Sequence, residues 1–213
     1  MATLTYQDLR LLVGQVLDER GVDTFQWSQS KVTDALNQAL ETTTRVLGLT
    51  RVEMGPLTHD AKGIIELPNL ITILYVRDYT TMRLLLKSDP AQEDRLDPSW
   101  RSKVGTPRTW MDHDGSRIRL NRIPATTTYV TVGFIEVPIQ FTYSGTQATD
   151  DAQTVDTRIP LFIQEKLKLA AAAYLLRQAG DHQDMAKSEA LLKQFMLEIG
   201  ADTGSAAKTS VER

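Results

Sequence analysis

Apolar positions recur at helical spacing near both ends of the chain and in short strand-like runs between them. Leu9, Leu12, Val13, Val16 and Leu17 share one face of a helix over 6–20, behind a Thr5 cap with Asp8 three residues on. Gly21 ends that helix, and Trp27 with Ser28 leads into a second, whose stripe runs through Val32, Ala35, Leu36, Ala39, Leu40, Thr43, Val46 and Leu47. Three consecutive threonines at 42–44 are poor helix formers, so packing must hold that turn.

From Leu49 the spacing changes. Runs at 51–54, 63–67, 71–79, 82–87, 108–112, 116–122 and 129–137 are punctuated by Gly, Pro, Asn and Asp, and predict antiparallel strands. His113, Asp114 and Gly115 form the turn of a hairpin. The acidic, proline-flanked stretch 89–98 holds a single helical turn before Trp100. Pro160 opens a third long helix, with Phe162, Ile163, Leu167, Ala170 and Tyr174 on its stripe up to Gly180. Asp181 caps a fourth, with Leu192, Phe195, Met196 and Ile199 on its buried face before Gly200.

This order predicts an α+β fold: N-terminal helices over 1–50 and C-terminal helices over 159–200 form one bundle, because each pair alone leaves an apolar stripe uncovered. An antiparallel β-rich insert fills 51–143, and a polar loop 144–158. Residues 201–213 offer only Val211 for burial, which predicts an extended C-terminal arm without structure of its own.

Composition narrows the function. With 41% hydrophobic residues and 24 Lys+Arg against 27 Asp+Glu, the chain has the make-up of packed soluble domains. No apolar run approaches the roughly 20 residues needed to cross a bilayer, so no membrane partner is expected. The N-terminus lacks the basic and apolar regions of a signal peptide, and the chain is read as unprocessed. The absence of cysteine removes disulfides, thiolate zinc sites and Cys nucleophiles, and fits folding in a reducing cytoplasm. A net charge of -3 gives no general attraction for phosphate backbones.

The candidates for chemistry are thin. His59, His113 and His182 have no second ligand at metal spacing, and Ser144 lacks the Gly-x-Ser-x-Gly elbow. Gly133 stands alone in a strand. Asp150 and Asp151 are paired carboxylates in a polar loop, where solvation is the ordinary role and catalysis needs a general-acid partner in a cleft. No catalytic residue, metal or cofactor is expected. Between Arg77 and Arg122 cations outnumber anions by three. Arg117, Arg119 and Asn121 alternate with Ile118 and Leu120, which puts them on one side of a strand, by default the solvated side. A functional reading has the arginines meet acidic residues of a neighbouring protein or passing DNA phosphates. Trp100, between Pro98 and Arg101, lies off every periodic core face, and satellite packing on the core is its ordinary role; because Trp and Arg dominate interface hot spots, the functional reading places Trp100 and Arg101 in an intersubunit or tail interface. On that reading Trp100→Ala reduces assembly without lowering the monomer's melting temperature.

The whole order of features resembles the head-to-tail adaptor (connector) proteins of tailed bacteriophages. The likeness is carried by the helix SKVTDALNQALETTTRVLGL, the strand entry ELPNLITILYVRDY, the strand-turn-strand segment GTPRTWMDHDGSRIRLNRIPA, the strand YVTVGFIEVP and the Ala-rich helix pair from Ile159 onward. It implies a virion structural protein of the neck: a ring, usually of twelve copies, docked under the portal protein, offering a platform to a tail or nozzle protein and letting double-stranded DNA pass without specific binding. It also implies that the C-terminal arm, with Asp202, Lys208, Val211 and Arg213, reaches into the portal. The competing readings are another neck or tail-completion protein and, from a different class, a ligand-binding or hydrolytic β-domain on a helical scaffold. A DNA-binding regulator is disfavoured, because the second helix carries Lys31 and Arg45 against Asp34 and Glu41.

Overall fold

The computed structural model describes residues 3–17, 27–126, 128–178 and 184–211. The fold is α+β, and the chain divides into two compact units, Met1–Leu49 with Pro138–Arg213, and Thr50–Val137.

The first unit is helical. Helix α1 (Tyr6–Val16) opens on a reciprocal capping box in which Thr5 and Asp8 satisfy each other's backbone donors, as the sequence predicts. The expected stop at Gly21 lies outside the described residues. Helix α2 (Gln29–Leu47) is capped by Ser28 and closed by Gly48 in the left-handed region at φ 61°. Thr43 and Thr44 are fully buried, and the Thr43 hydroxyl donates to the Ala39 carbonyl at 2.6 Å, so packing does hold the threonine turn. A short helix α4 (Gln147–Asp151) interrupts the expected loop.

Helix α5 (Leu161–Gln178) packs against α1, α2 and the last helix, α6 (Met185–Val211). Its burial extends round the helix rather than along one stripe, because Ala170 to Ala173 let neighbouring backbones approach from several sides. Tyr6, Leu9, Leu36, Leu40, Phe141, Leu167 and Phe195 bring these helices into one core. Phe141 marks the end of the β-rich segment, which stops at Val137 rather than 143. The Asn37 amide donates to the Phe141 carbonyl at 2.9 Å and accepts from its N–H at 2.8 Å, a side-chain imitation of a strand pair.

Asp181 lies outside the described residues; the backbone N–H of Lys187 bonds the Asp184 carboxylate at 2.8 Å at the start of α6. The C-terminal segment corrects the sequence reading. Instead of an extended arm, the backbone remains helical to Val211. Propagating a formed helix is far easier than starting one, Ala201, Ala206 and Ala207 favour it, and the glycines at 200 and 204 cost only about 1 kcal/mol each.

The second unit is a seven-stranded sheet in the order β1-β7-β3-β4-β5-β6-β2, with β1 Arg51–Thr58, β2 Ile64–Glu66, β3 Leu70–Asp78, β4 Leu84–Lys87, β5 Thr109–Asp112, β6 Arg117–Leu120 and β7 Thr128–Glu136. Its core gathers Ile65, Leu67, Val76, Leu85, Trp110, Ile118, Leu120, Val130, Val132 and Phe134. The expected 108–122 hairpin is present, with Trp110 opposite Leu120. One pairing departs from the antiparallel expectation: β4 and β5 run parallel, Leu86 beside Thr109 and Lys87 beside Trp110. The intervening chain, containing helix α3 (Pro90–Leu96), serves as the crossover that a parallel pair requires. The unit begins and ends at neighbouring residues: the Glu136 N–H donates to the Thr50 carbonyl at 3.2 Å, and the Thr50 hydroxyl donates to the Glu136 carbonyl at 2.6 Å.

Candidate interaction site around Trp100

The crossover builds the site. Asp89 accepts the Gln92 N–H at 2.8 Å and Pro90 occupies the first turn, so α3 is a well-capped if short helix. It turns Glu93 inward, where the residue is only 4% exposed. A buried carboxylate needs donors. The Thr109 hydroxyl supplies one at 2.6 Å and the Asn121 amide another at 3.4 Å, while the Asn121 oxygen accepts the N–H groups of Arg108 and Thr109 at 3.0 and 3.3 Å.

After α3 the chain tightens into a 3-10 turn, Trp100–Ser102. Asp97 accepts the Ser99 hydroxyl at 2.7 Å and the Lys103 ammonium at 2.6 Å, and these bonds hold its carboxyl down at about 2. Trp100 is 3% exposed, and its indole N–H donates to Asp94 at 2.8 Å. The Asp94 carboxylate also takes a two-point grip from Arg101, and the bonds from Arg101 and Trp100 lower its pKa. Two guanidiniums lie over the indole, Arg101 at 4.6 Å and Arg119 at 4.9 Å from the ring centre. Arg119 donates to the Arg101 carbonyl at 3.2 Å, and its Nε is buried without a partner. Burial first, and the nearby Arg101 charge second, pull its pKa down.

The strand alternation holds, with Ile118 and Leu120 inward. The opposite side is not simply solvated, however: Asn121 is buried, and Arg119 is half-buried on Trp100. Arg117, the first residue of β6, reaches back to clasp Asp114 of the hairpin turn and holds that carboxyl at about 2. Arg101, Arg119 and Trp100 are thus brought together, whereas Arg117 is engaged in its own turn. The burial of Trp100 agrees with its ordinary role as a core satellite, so its removal is expected to lower the monomer's stability. Asp202, Lys208 and Val211 lie on the last turns of α6, and Arg213 lies outside the described residues.

The Glu93 network was missed in the sequence, because the signal of an acid inside an acidic run is indistinguishable from a solvated one. Asp150 has a structural explanation: it accepts the Ser144 hydroxyl at 2.7 Å, the Ser144 N–H at 3.0 Å and the Gln29 amide at 3.2 Å, tying the loop to α2. His59 bonds backbone oxygens of Asp60 and Thr126, each at 2.8 Å, and His182 lies outside the described residues. Among the described residues there is no group of His, Cys, Asp or Glu able to hold a metal ion. The same residues contain no helix long and apolar enough to cross a membrane.

The site is therefore a buried indole clasped by guanidinium and carboxylate groups. The profile of one protein family, described as SU10 adaptor protein, matches residues 4–213. The chain belongs to that family. SU10 adaptors are phage head-to-tail adaptors, so the expected resemblance holds, and the role is that of a structural component of the virion neck that associates with other virion proteins. No curated protein matches the chain.

Proposed function

We propose that this SU10 adaptor forms a closed ring, usually of twelve copies, that joins the portal protein to a tail or nozzle protein and lets double-stranded DNA pass through its lumen. The observation that carries this reading is the family match across almost the entire chain. A closed ring needs heterologous contacts, with two different lateral surfaces on every copy. On this reading the helices of 1–50 and 159–200 form the bundle, the strands are the inserted module, and 144–158 is the connection between them. The Trp100, Arg101, Arg117 and Arg119 region serves the intersubunit or tail interface. The end of α6, with Asp202, Lys208 and Val211, and Arg213 beyond it, serves the portal interface. Net acidity suits a lumen that does not grip DNA, since a strongly basic channel would hold phosphates through counterion release.

Mixing the purified full chain with portal rings and imaging by electron microscopy tests the reading; the expected result is a second ring seated on the portal. A variant truncated after Gly200 is expected to remain folded, with unchanged melting of the core, and to lose portal docking. Undiminished docking by the truncated chain would remove the role of the C-terminal segment.

A further inference from the structure

Next to Trp100 the strand unit contains a cavity of about 510 Å³. Glu93, Trp100 and Asn121 are its buried lining; Leu96, Arg108 and Arg122 are among the residues nearer solvent. The acids of this cavity are already engaged. Both Glu93 oxygens accept bonds from Thr109 and Asn121, and Asp97 accepts from Lys103 and Ser99. Arg108 and Arg122 are different: among the described residues neither guanidinium has a hydrogen bond or an ion pair. Two cations thus line a concavity beside Leu96, which leaves 73% of its surface in water.

From this we infer that the cavity is a docking site for an acidic peptide segment of a partner protein, one in which a Glu or Asp side chain adjoins an aliphatic one. The planar guanidinium fork matches a carboxylate in two-point geometry, and the pair is strengthened where the surrounding walls exclude water. Leu96, exposed beside the cavity, supplies the apolar contact for the adjoining side chain. The charge pattern disfavours a DNA backbone. A duplex presents regularly spaced phosphates to a ridge of cations, whereas here two free arginines sit within a pocket that also contains the Glu93 and Asp97 carboxylates. The inference rests on the reading of the Trp100 face as an interface, and it names what that face receives.

The test uses the full chain and needs neither ring nor portal. A fluorescein-labelled peptide of alternating Glu and Leu is titrated and followed by anisotropy, beside a peptide with Gln in place of Glu and a short duplex DNA. The Glu peptide is expected to bind and the Gln peptide not to. The double variant Arg108→Gln/Arg122→Gln is expected to weaken binding at least about tenfold with unchanged melting, while Arg83→Gln, an exposed arginine outside the cavity lining, leaves it unaltered. Should the double variant fold poorly, NMR of the arginine Nε–H signals in the unaltered chain decides: shifts at Arg108 and Arg122 support the site, and shifts confined elsewhere overturn it. Equal binding of both peptides, undiminished binding by a folded double variant, or duplex DNA binding lost in that variant would each overturn it as well. Failure here with intact portal docking leaves the adaptor reading standing, and loss of docking with intact peptide binding does the reverse.

Discussion

Trp100 sits under two guanidiniums and gives its only donor to Asp94, so its side chain has little left to offer a partner directly. Trp100→Ala should destabilise the strand unit by about 3–5 kcal/mol, measured by urea denaturation, because a cavity opens and Arg119 loses the ring that supports its charge. An unchanged unfolding midpoint would mean that the indole contributes only to assembly. Gly133 shows a second local constraint. A methyl group at this position would sit 2.4 Å from the Tyr75 ring, which crosses the strand to reach Glu53. The lone glycine that the sequence leaves unexplained is thus the floor for an aromatic ring.

The crossover and the β5–β6 hairpin are held by carboxylates whose pKa values fall on folding. For Asp97 and Asp114 the folded values are about 2 against an ordinary 3.8, owing to bonds from Lys103 with Ser99 and from Arg117. The stabilisation is fully present above the unfolded value and disappears as pH falls from 3.8 towards 2. Amide exchange protection in the 3-10 turn and the hairpin should therefore decline through that window. Asp97→Asn with Asp114→Asn should flatten the decline; an unaltered profile would assign the acid sensitivity to other groups. Elements of this kind were mostly legible in the sequence because strand alternation, the Thr5 and Ser28 caps and the turn at Asp114 and Gly115 are local signals. Other features depend on distant parts of the chain. The parallel β4–β5 pair follows from where the chain returns after α3, and alternation told that Asn121 lies on the side opposite Leu120 without telling that α3 covers it. The helical course beyond Gly200 leaves no apolar stripe in the sequence, because it propagates from the helix before it.

For the whole molecule, family membership makes this chain a structural component of the virion neck, built as two compact units. The strand unit carries its own core and pairs its first residues with its last. Residues 50–137 expressed alone should unfold in one cooperative transition followed by Trp100 and Trp110 fluorescence. A broad, non-cooperative transition would show that the unit depends on the helices. The hydrogen-bonded meeting of Thr50 with Glu136 has a further result. Entry and exit act as a single doorway, so a foreign module with a doorway of equal width can be spliced between Leu49 and Pro138 without redesigning the helical half, and that joint is the natural cut for building chimeras among SU10 adaptors.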